Sequence, residues 1–226
     1  MINQSYKNFE FIVIDGGSTD KSLKIIKKYE KKIDYWISEK DNGIYDAFNK
    51  GMIVSKGEFI GFINSDDIYK KDALSIISNY IRKNKATDFI FGSVKKHWGI
   101  LHGYKPHKIK YSWGFYSSHS TGFFIKRKAA EKVGFYNIKY KYHADYDYFY
   151  RLIVKNKMKG ISTKKKEVVG IFRRGGFSSK ISFWKKLKED IRIRYDNGQN
   201  ILLLILIFSN KFLRNIDEIL KNIIKK

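Results

Sequence analysis

The chain has 226 residues, with 46 Lys and Arg against 22 Asp and Glu, a formal net charge of +24, one proline and no cysteine. Hydrophobic residues at 43% and aromatics at 16% exclude a disordered tail and leave room for one large domain with a sizeable core. The missing cysteines exclude a disulfide framework, a thiolate metal site and a cysteine nucleophile, while the charge predicts anionic surroundings: nucleic acid, lipid surfaces or phosphorylated substrates.

Residues 9–14 (FEFIVI) form an apolar run that predicts a buried strand ending at Asp15. Ser18, Thr19 and Asp20 are suited to cap a helix carrying Leu23, Ile25, Ile26 and Tyr29. A short strand is expected over 35–38, a turn at Asp41-Asn42-Gly43 and a helix over 46–54. Lys56-Gly57 breaks that helix before a strand over 58–63, which stops at Asn64-Ser65-Asp66-Asp67. Ala73, Ile76, Ile77, Tyr80 and Ile81 make one helical face, and a strand follows over 88–94. This alternation predicts an α/β fold with an open, mostly parallel twisted sheet and helices on both faces.

Residues 95–120 are aromatic and basic, with strand pairs expected. A strand over 122–125, a helix over 127–133 stopped by Gly134, a helix over 142–156 and a strand over 168–172 come next, before the loop Arg173-Arg174-Gly175-Gly176. Residues 201–208 are eight consecutive apolar residues, short of the ~20 needed to span a bilayer. An amphipathic pattern continues to Ile224, so residues 181–226 are expected to be helical. That tail would either lie in a membrane interface or pack on the domain or on a second subunit.

Acid groups stand at three element ends: Asp15, the Asp66-Asp67 pair, and Asp145 with Asp147. Neighbouring strand ends in a parallel sheet converge on one crevice. Adjacent carboxylates repel and call for a cation, and oxygen-only ligands suit Mg²⁺ or Mn²⁺ shared with phosphates. One carboxylate there would read a nucleobase or ribose, a second would hold a metal on a diphosphate, and a third would deprotonate a hydroxyl. Taken singly, each is equally at home in a turn or helix cap. His119, before a strand, would contact phosphate or acceptor, or serve as a buried structural histidine. Arg173 and Arg174 would close over a diphosphate or form a solvated basic turn.

The ordered segments YKNFEFIVIDGGSTD (6–20), EKDNGIYDAFNKGMIVSKGEFIGFINSDD (39–67), HSTGFFIKR (119–127), ADYDYFYRL (144–152) and FRRGGFS (172–178) resemble family-two glycosyltransferases of the GT-A fold. The resemblance implies that Asp15 contacts the nucleobase, with Gly16 where a second Asp is usual. It places Asp66 and Asp67 in a DxD-type motif contacting the ribose and the Mg²⁺ or Mn²⁺ on the diphosphate, with Asn64 at the first position. Asp145 matches the catalytic base, preceded by Ala144 where Glu often stands. Asp147 is the second candidate, or instead orients Arg151 four residues on along the same helical face. His119, Arg151, Arg173 and Arg174 complete the expected nucleotide-sugar-binding set.

The implied reaction is a single inverting displacement. No Gln-x-x-Arg-Trp occurs, so one sugar per encounter is expected. The implied partners are a nucleoside-diphosphate sugar and a polyprenyl-linked glycan acceptor of O-antigen, capsule or other surface polysaccharide. The implied location is cytoplasmic and peripheral, at the anionic inner face of the membrane. Nucleic acid, the rival that the charge raises, is not expected, because the lysines are spread rather than gathered into a motif. Residues 1–180 would be the glycosyltransferase domain. Residues 1–6 match the end of the family's first helix, so the first strand and its Pro-x-Tyr-Asn-like turn are missing from the match. An inactive remnant or a partner subunit is therefore the alternative reading.

Overall fold

The computed structural model describes residues 1–111, 120–173 and 181–216. β1 (Ile12–Asp15) pairs in parallel with β2 (Tyr35–Ser38), placing Asp15 opposite Ser38. Between them runs α1 (Ser22–Lys28). Asp20 Oδ1 accepts the Ser22 N–H at 2.8 Å, and Lys27 and Lys28 complement the negative end of the helix. α2 (Ile44–Val54) begins after Gly43, whose φ of +111° suits glycine alone.

β3 (Phe59–Gly61) is shorter than the expected 58–63, because the chain then turns: the Asp67 N–H donates to Asn64 O at 3.1 Å, and β4 (Ile68–Tyr69) follows. α3 (Ala73–Lys83) buries Ala73 and Ile77. Next come β5 (Phe89–Phe91), β6 (Ser93–Lys96) and β7 (Gly99–Leu101), then 3₁₀ turns at Pro106–Lys110 and Ser120–Gly122. β8 (Phe123–Lys126) leads into α4 (Arg127–Val133), ended by Gly134 at φ +82°. α5 (Ala144–Tyr150) runs on through a π-helical turn, Arg151–Lys155. β9 (Gly160–Ser162), β10 (Val168–Ile171), α6 (Phe183–Asp196) and α7 (Ile201–Arg214) complete the described elements.

The strands form three sheets, ordered β1-β2, β3-β8-β5-β9 and β4-β10-β6-β7. β1–β2, β5–β9 and β6–β10 pair in parallel; β3–β8, β5–β8, β4–β10 and β6–β7 pair antiparallel. The α/β class holds, but the pairing is mixed rather than mostly parallel. β8 enters between β3 and β5 against the direction of both, which periodicity along one strand does not reveal.

The single strand expected over 88–94 is two strands that change sheet at Gly92. A Cβ on Gly92 would stand 2.5 Å from Val169 Cγ2, so any larger residue would push β10 away at the crossing. The Gly92 N–H donates to Gly122 O at 2.7 Å, which holds the switch point to the turn before β8.

The main core is aromatic. Phe62, Phe89, Phe91, Phe123 and Phe149 are buried together, and Phe123 meets Phe149 edge-on at 4.7 Å. Tyr136 stacks on Tyr148 at 4.1 Å and 15°. A second cluster joins Ile77 and Ala73 to Ile90, Phe124 and Val169. α6 belongs to this body: its Ile193 lies in the main core and its Arg194 is fully buried. No helix among the described residues is long and apolar enough to cross a membrane.

Candidate functional site

Asp15 stands at the end of β1 as the organiser of its own loop. Its Oδ2 accepts the N–H groups of Gly17 at 3.2 Å and Ser18 at 2.9 Å and the hydroxyl of Ser38 at 2.6 Å, while Oδ1 accepts the Ser18 hydroxyl at 2.5 Å. Burial pushes its carboxyl up, but these bonds to the charged form outweigh burial and leave it below the ordinary value. Beside it Asp41 occupies the space over Gly16, its Oδ2 lying 2.3 Å from where a Cβ would be. A carboxylate thus stands next to the position where the second loop Asp was expected, delivered from the start of the α2 segment.

The Asp66-Asp67 pair divides its labour. Asp67 is buried. Its Oδ2 accepts Asn64 Nδ2 at 3.1 Å and the hydroxyl of the fully buried Thr121, and its Oδ1 accepts the Arg173 N–H at 3.2 Å. Asp66 is half-buried, and its carboxylate has no hydrogen-bond partner among the described residues. Asn64 donates to both Asp67 and Ser120, which fixes its amide orientation and leaves Asn64 Oδ1 buried without a partner. The turn therefore offers hard oxygen donors: a free carboxylate, an orphaned amide oxygen and a rigidly held second carboxylate. That donor set fits Mg²⁺ or Mn²⁺. No group of three His, Cys, Asp or Glu suited to a metal occurs among the described residues, so the remaining ligands would be phosphate oxygens and water.

Asp145 sits in the first turn of α5, half-buried, with Oδ1 accepting the Tyr146 N–H at 2.8 Å and the Tyr45 hydroxyl at 3.2 Å. Glu189 of α6 pins the approach to this turn, its carboxylate accepting the N–H groups of Lys141 at 2.8 Å and of Tyr142 and His143 at 2.7 Å each. Asp147, two residues on, points into the scaffold instead. It pairs with Arg151 Nε at 2.9 Å and accepts Asn197 Nδ2 at 2.8 Å. Arg151 also donates from Nη1 to Val133 O and from Nη2 to Phe135 O, both at 2.7 Å. Asp147 and Arg151 thus tie α5 to α6 and to the end of α4 within the fold.

Lys96, which the sequence did not single out, connects the site. It ends β6, half-buried, with its ammonium 4.6 Å from the centre of the Phe172 ring. Burial holds it below the ordinary lysine value, while Asp67 and Asp145 both pull it back up. Lys96 thus feels both Asp67 and Asp145. Asp15 has no direct contact with either turn among the described residues. The Arg173 side chain is exposed and only its backbone N–H is engaged here; His119 and Arg174 lie outside the described residues. A separate cavity of about 480 Å³, lined by Met1, Gln4, Phe11, Val13, Ile25 and Tyr29, is apolar and carries none of these carboxylates.

The profile of "Glycosyl transferase family 2" matches residues 1–149. Among curated relatives, a PGL/p-HBAD biosynthesis glycosyltransferase of Mycobacterium bovis is 27% identical over 154 residues, covering 64% of this chain and 58% of its own length. A glycosyltransferase of Methanocaldococcus jannaschii is 29% identical over 164 residues, covering 67% of this chain and 56% of its own. The chain thus spans less than two thirds of the length of these relatives. Among solved structures, residues 1–349 of S. aureus TarS in complex with UDP-GlcNAc superpose with a TM-score of 0.67 at 16% identity over 96% of this chain and 66% of that fragment. The mannosyltransferase PcManGT of Pyrobaculum calidifontis, in complex with GDP-Man and Mn²⁺, superposes at 0.62 with 14% identity, over 93% and 63%. These two likenesses establish the GT-A fold. With two thirds of its length matched by the profile and its carboxylates at the ends of the matching elements, the chain belongs to glycosyl transferase family 2.

Proposed function

We propose that this chain transfers a single sugar, with inversion, from a nucleoside-diphosphate sugar to a hydroxyl of a lipid-linked glycan in surface polysaccharide assembly. The observation that carries the reading is the donor set at the end of β3, where Asp66 has no hydrogen-bond partner among the described residues beside a rigidly held Asp67 and an orphaned Asn64 Oδ1, with a half-buried Asp145 at the start of α5. Relatives in the same family are named as glycosyltransferases, and fold neighbours are complexed with UDP-GlcNAc or with GDP-Man and Mn²⁺.

In this reading the Asp15 loop receives the nucleoside, and Asp66, with Asn64 Oδ1 and Asp67, holds Mg²⁺ or Mn²⁺ at the diphosphate. When bound, the ion supplies charge neutralisation for the departing nucleoside diphosphate. Asp145, steadied by Tyr45 and the Tyr146 N–H, accepts the proton of the acceptor hydroxyl as that oxygen attacks the anomeric carbon. A single displacement inverts the anomeric centre.

The outward face of α7 supports a peripheral place on the cytoplasmic leaflet. Ile201, Leu202, Ile205, Leu206 and Leu213 are all exposed on a chain of net charge +24, the combination that binds an anionic interface.

The test is release of UDP or GDP from a panel of nucleotide sugars by the purified chain with Mn²⁺ and a polyprenyl-diphosphate glycan. Turnover that requires the divalent ion and falls at least a hundredfold in Asp145→Asn is expected. Failure to bind or turn over any donor overturns the reading.

A further inference from the structure

Lys96 is a desolvated cation without an anionic partner. No ion pair engages its ammonium among the described residues, and it lies over the face of the Phe172 ring at 4.6 Å. The nearby carboxylates are otherwise committed: Asp67 to Asn64, Thr121 and the Arg173 N–H, and Asp145 to Tyr45 and the Tyr146 N–H. The backbone holds Lys96 in place from two sides. The Phe172 N–H donates to Lys95 O at 2.9 Å, and the next N–H, that of Arg173, donates to Asp67 Oδ1 at 3.2 Å. The end of β6 and the two residues after β10 therefore set Lys96 near the Asp66-Asp67 turn. An unpaired charge removed from water is costly unless an anion arrives to meet it.

We propose that Lys96 binds the diphosphate of the donor and stabilises the charge that develops on it as the sugar leaves. The inference rests on the nucleotide-sugar reading above and names a residue that reading does not require. As the acceptor oxygen bonds to the anomeric carbon, the bond from that carbon to the diphosphate oxygen breaks. Its electron pair goes to that oxygen, and the hydroxyl proton goes to Asp145. Lys96 keeps its protons throughout and acts as a compact point charge on the leaving group, where the attraction is stronger in the transition state than in the ground state.

The experiment is calorimetric titration of UDP, GDP, UMP, GMP and inorganic pyrophosphate into the full 226-residue chain, with EDTA and separately with Mn²⁺. Wild type is compared with Lys96→Met, Lys96→Gln and Lys96→Arg. The neutral variants are expected to lose about tenfold or more in affinity for UDP, GDP and pyrophosphate, in EDTA as well as with Mn²⁺. A smaller loss is expected for the monophosphates, and Lys96→Arg should retain most of the binding. If wild type binds the diphosphates and folded Lys96→Met or Lys96→Gln binds them equally well, the role of Lys96 is overturned and the nucleotide-sugar reading stands. If wild type binds neither nucleotides nor pyrophosphate, the nucleotide-sugar reading falls and this one with it. Should Lys96→Met not fold, Lys96→Gln, which keeps the polar end without its charge, decides the question.

Discussion

Tyr45 and Asp145, 100 residues apart in sequence, meet through a hydroxyl that lies 3.2 Å from Asp145 Oδ1 and equally far from Tyr142 O. The tyrosine belongs to α2 and the carboxylate to the first turn of α5, so two separate elements fix where Asp145 stands. Tyr45→Phe keeps the ring packing on Tyr136 and removes only the hydroxyl. It is expected to lower kcat several-fold with donor KM little changed, and to cost about 1 kcal/mol of stability. Steady-state kinetics and urea denaturation check both. A rise in KM with kcat unchanged would show that Tyr45 serves the donor and not the base.

Asp66 and Asp67 are expected to fail in different ways. Asp66→Asn removes a carboxylate that accepts no hydrogen bond among the described residues, so Mn²⁺-dependent thermal stabilisation by UDP or GDP should vanish while the apo Tm stays within about a degree or two. Asp67→Asn disturbs a carboxylate bound to Thr121, Asn64 and the Arg173 N–H, so the apo protein itself should lose about 1–3 kcal/mol. Differential scanning fluorimetry with and without nucleotide and Mn²⁺ separates the two.

A buried triad joins the last helices. Asp190 accepts Arg194 Nε at 3.1 Å and is also paired with Lys211 of α7. Burial lowers Lys211 from the ordinary 10.5 to about 8, against the upward pull of Asp190. Between those values the unfolded chain holds more protons at this residue than the folded one, so its contribution to stability grows as pH rises through that window. Below about 8 the penalty is fully present. Denaturation at about pH 7.5 and about pH 9.5 should therefore favour the higher pH in wild type more than in Lys211→Met. Asp190→Ala, which strands two buried cations, is expected to cost about 3–5 kcal/mol, and Lys211→Met far less because Asp190 keeps Arg194.

The outward face of α7 carries Leu202 and Leu206, each about two thirds exposed (67% and 66%). Burying one leucine in an interface contributes roughly 1.5–3 kcal/mol at most. Leu202→Ser with Leu206→Ser should therefore reduce co-sedimentation with phosphatidylserine vesicles more than tenfold while nucleotide binding is unchanged. Equal binding of wild type and variant would remove α7 as the membrane contact.

The parts of the fold that were legible are those whose ends carry their own chemistry. The strand Tyr35–Ser38 and the helix Arg127–Val133 fall where expected, because turn residues and Gly134 mark their limits. The run 88–94 gave no warning of its break, since Gly92 is forced by Val169, far away in sequence. β4 and β9 are too short for a periodic signal. At the site, the spacing of Asp147 and Arg151 announced a helical pair. That the pair also ties down Val133 O and Phe135 O, and so belongs to the scaffold, needs the third dimension. Lys96 was one of 46 basic residues, and only its half-buried place over the Phe172 ring, within the field of Asp67 and Asp145, sets it apart. Tyr45 reaches Asp145, and Glu189 the residues just before it, from elements distant in sequence.

Gly92 divides one stretch of backbone between two four-stranded sheets, with Ile90 committed to one and Val94 to the other. Neither sheet can fray alone without pulling on its neighbour through a single covalent segment two residues long on each side of the glycine. The two hydrophobic clusters are thereby fused into one cooperative unit. Amide hydrogen exchange at Ile90 and Val94 should accordingly proceed only through global opening, with the same free energy at both.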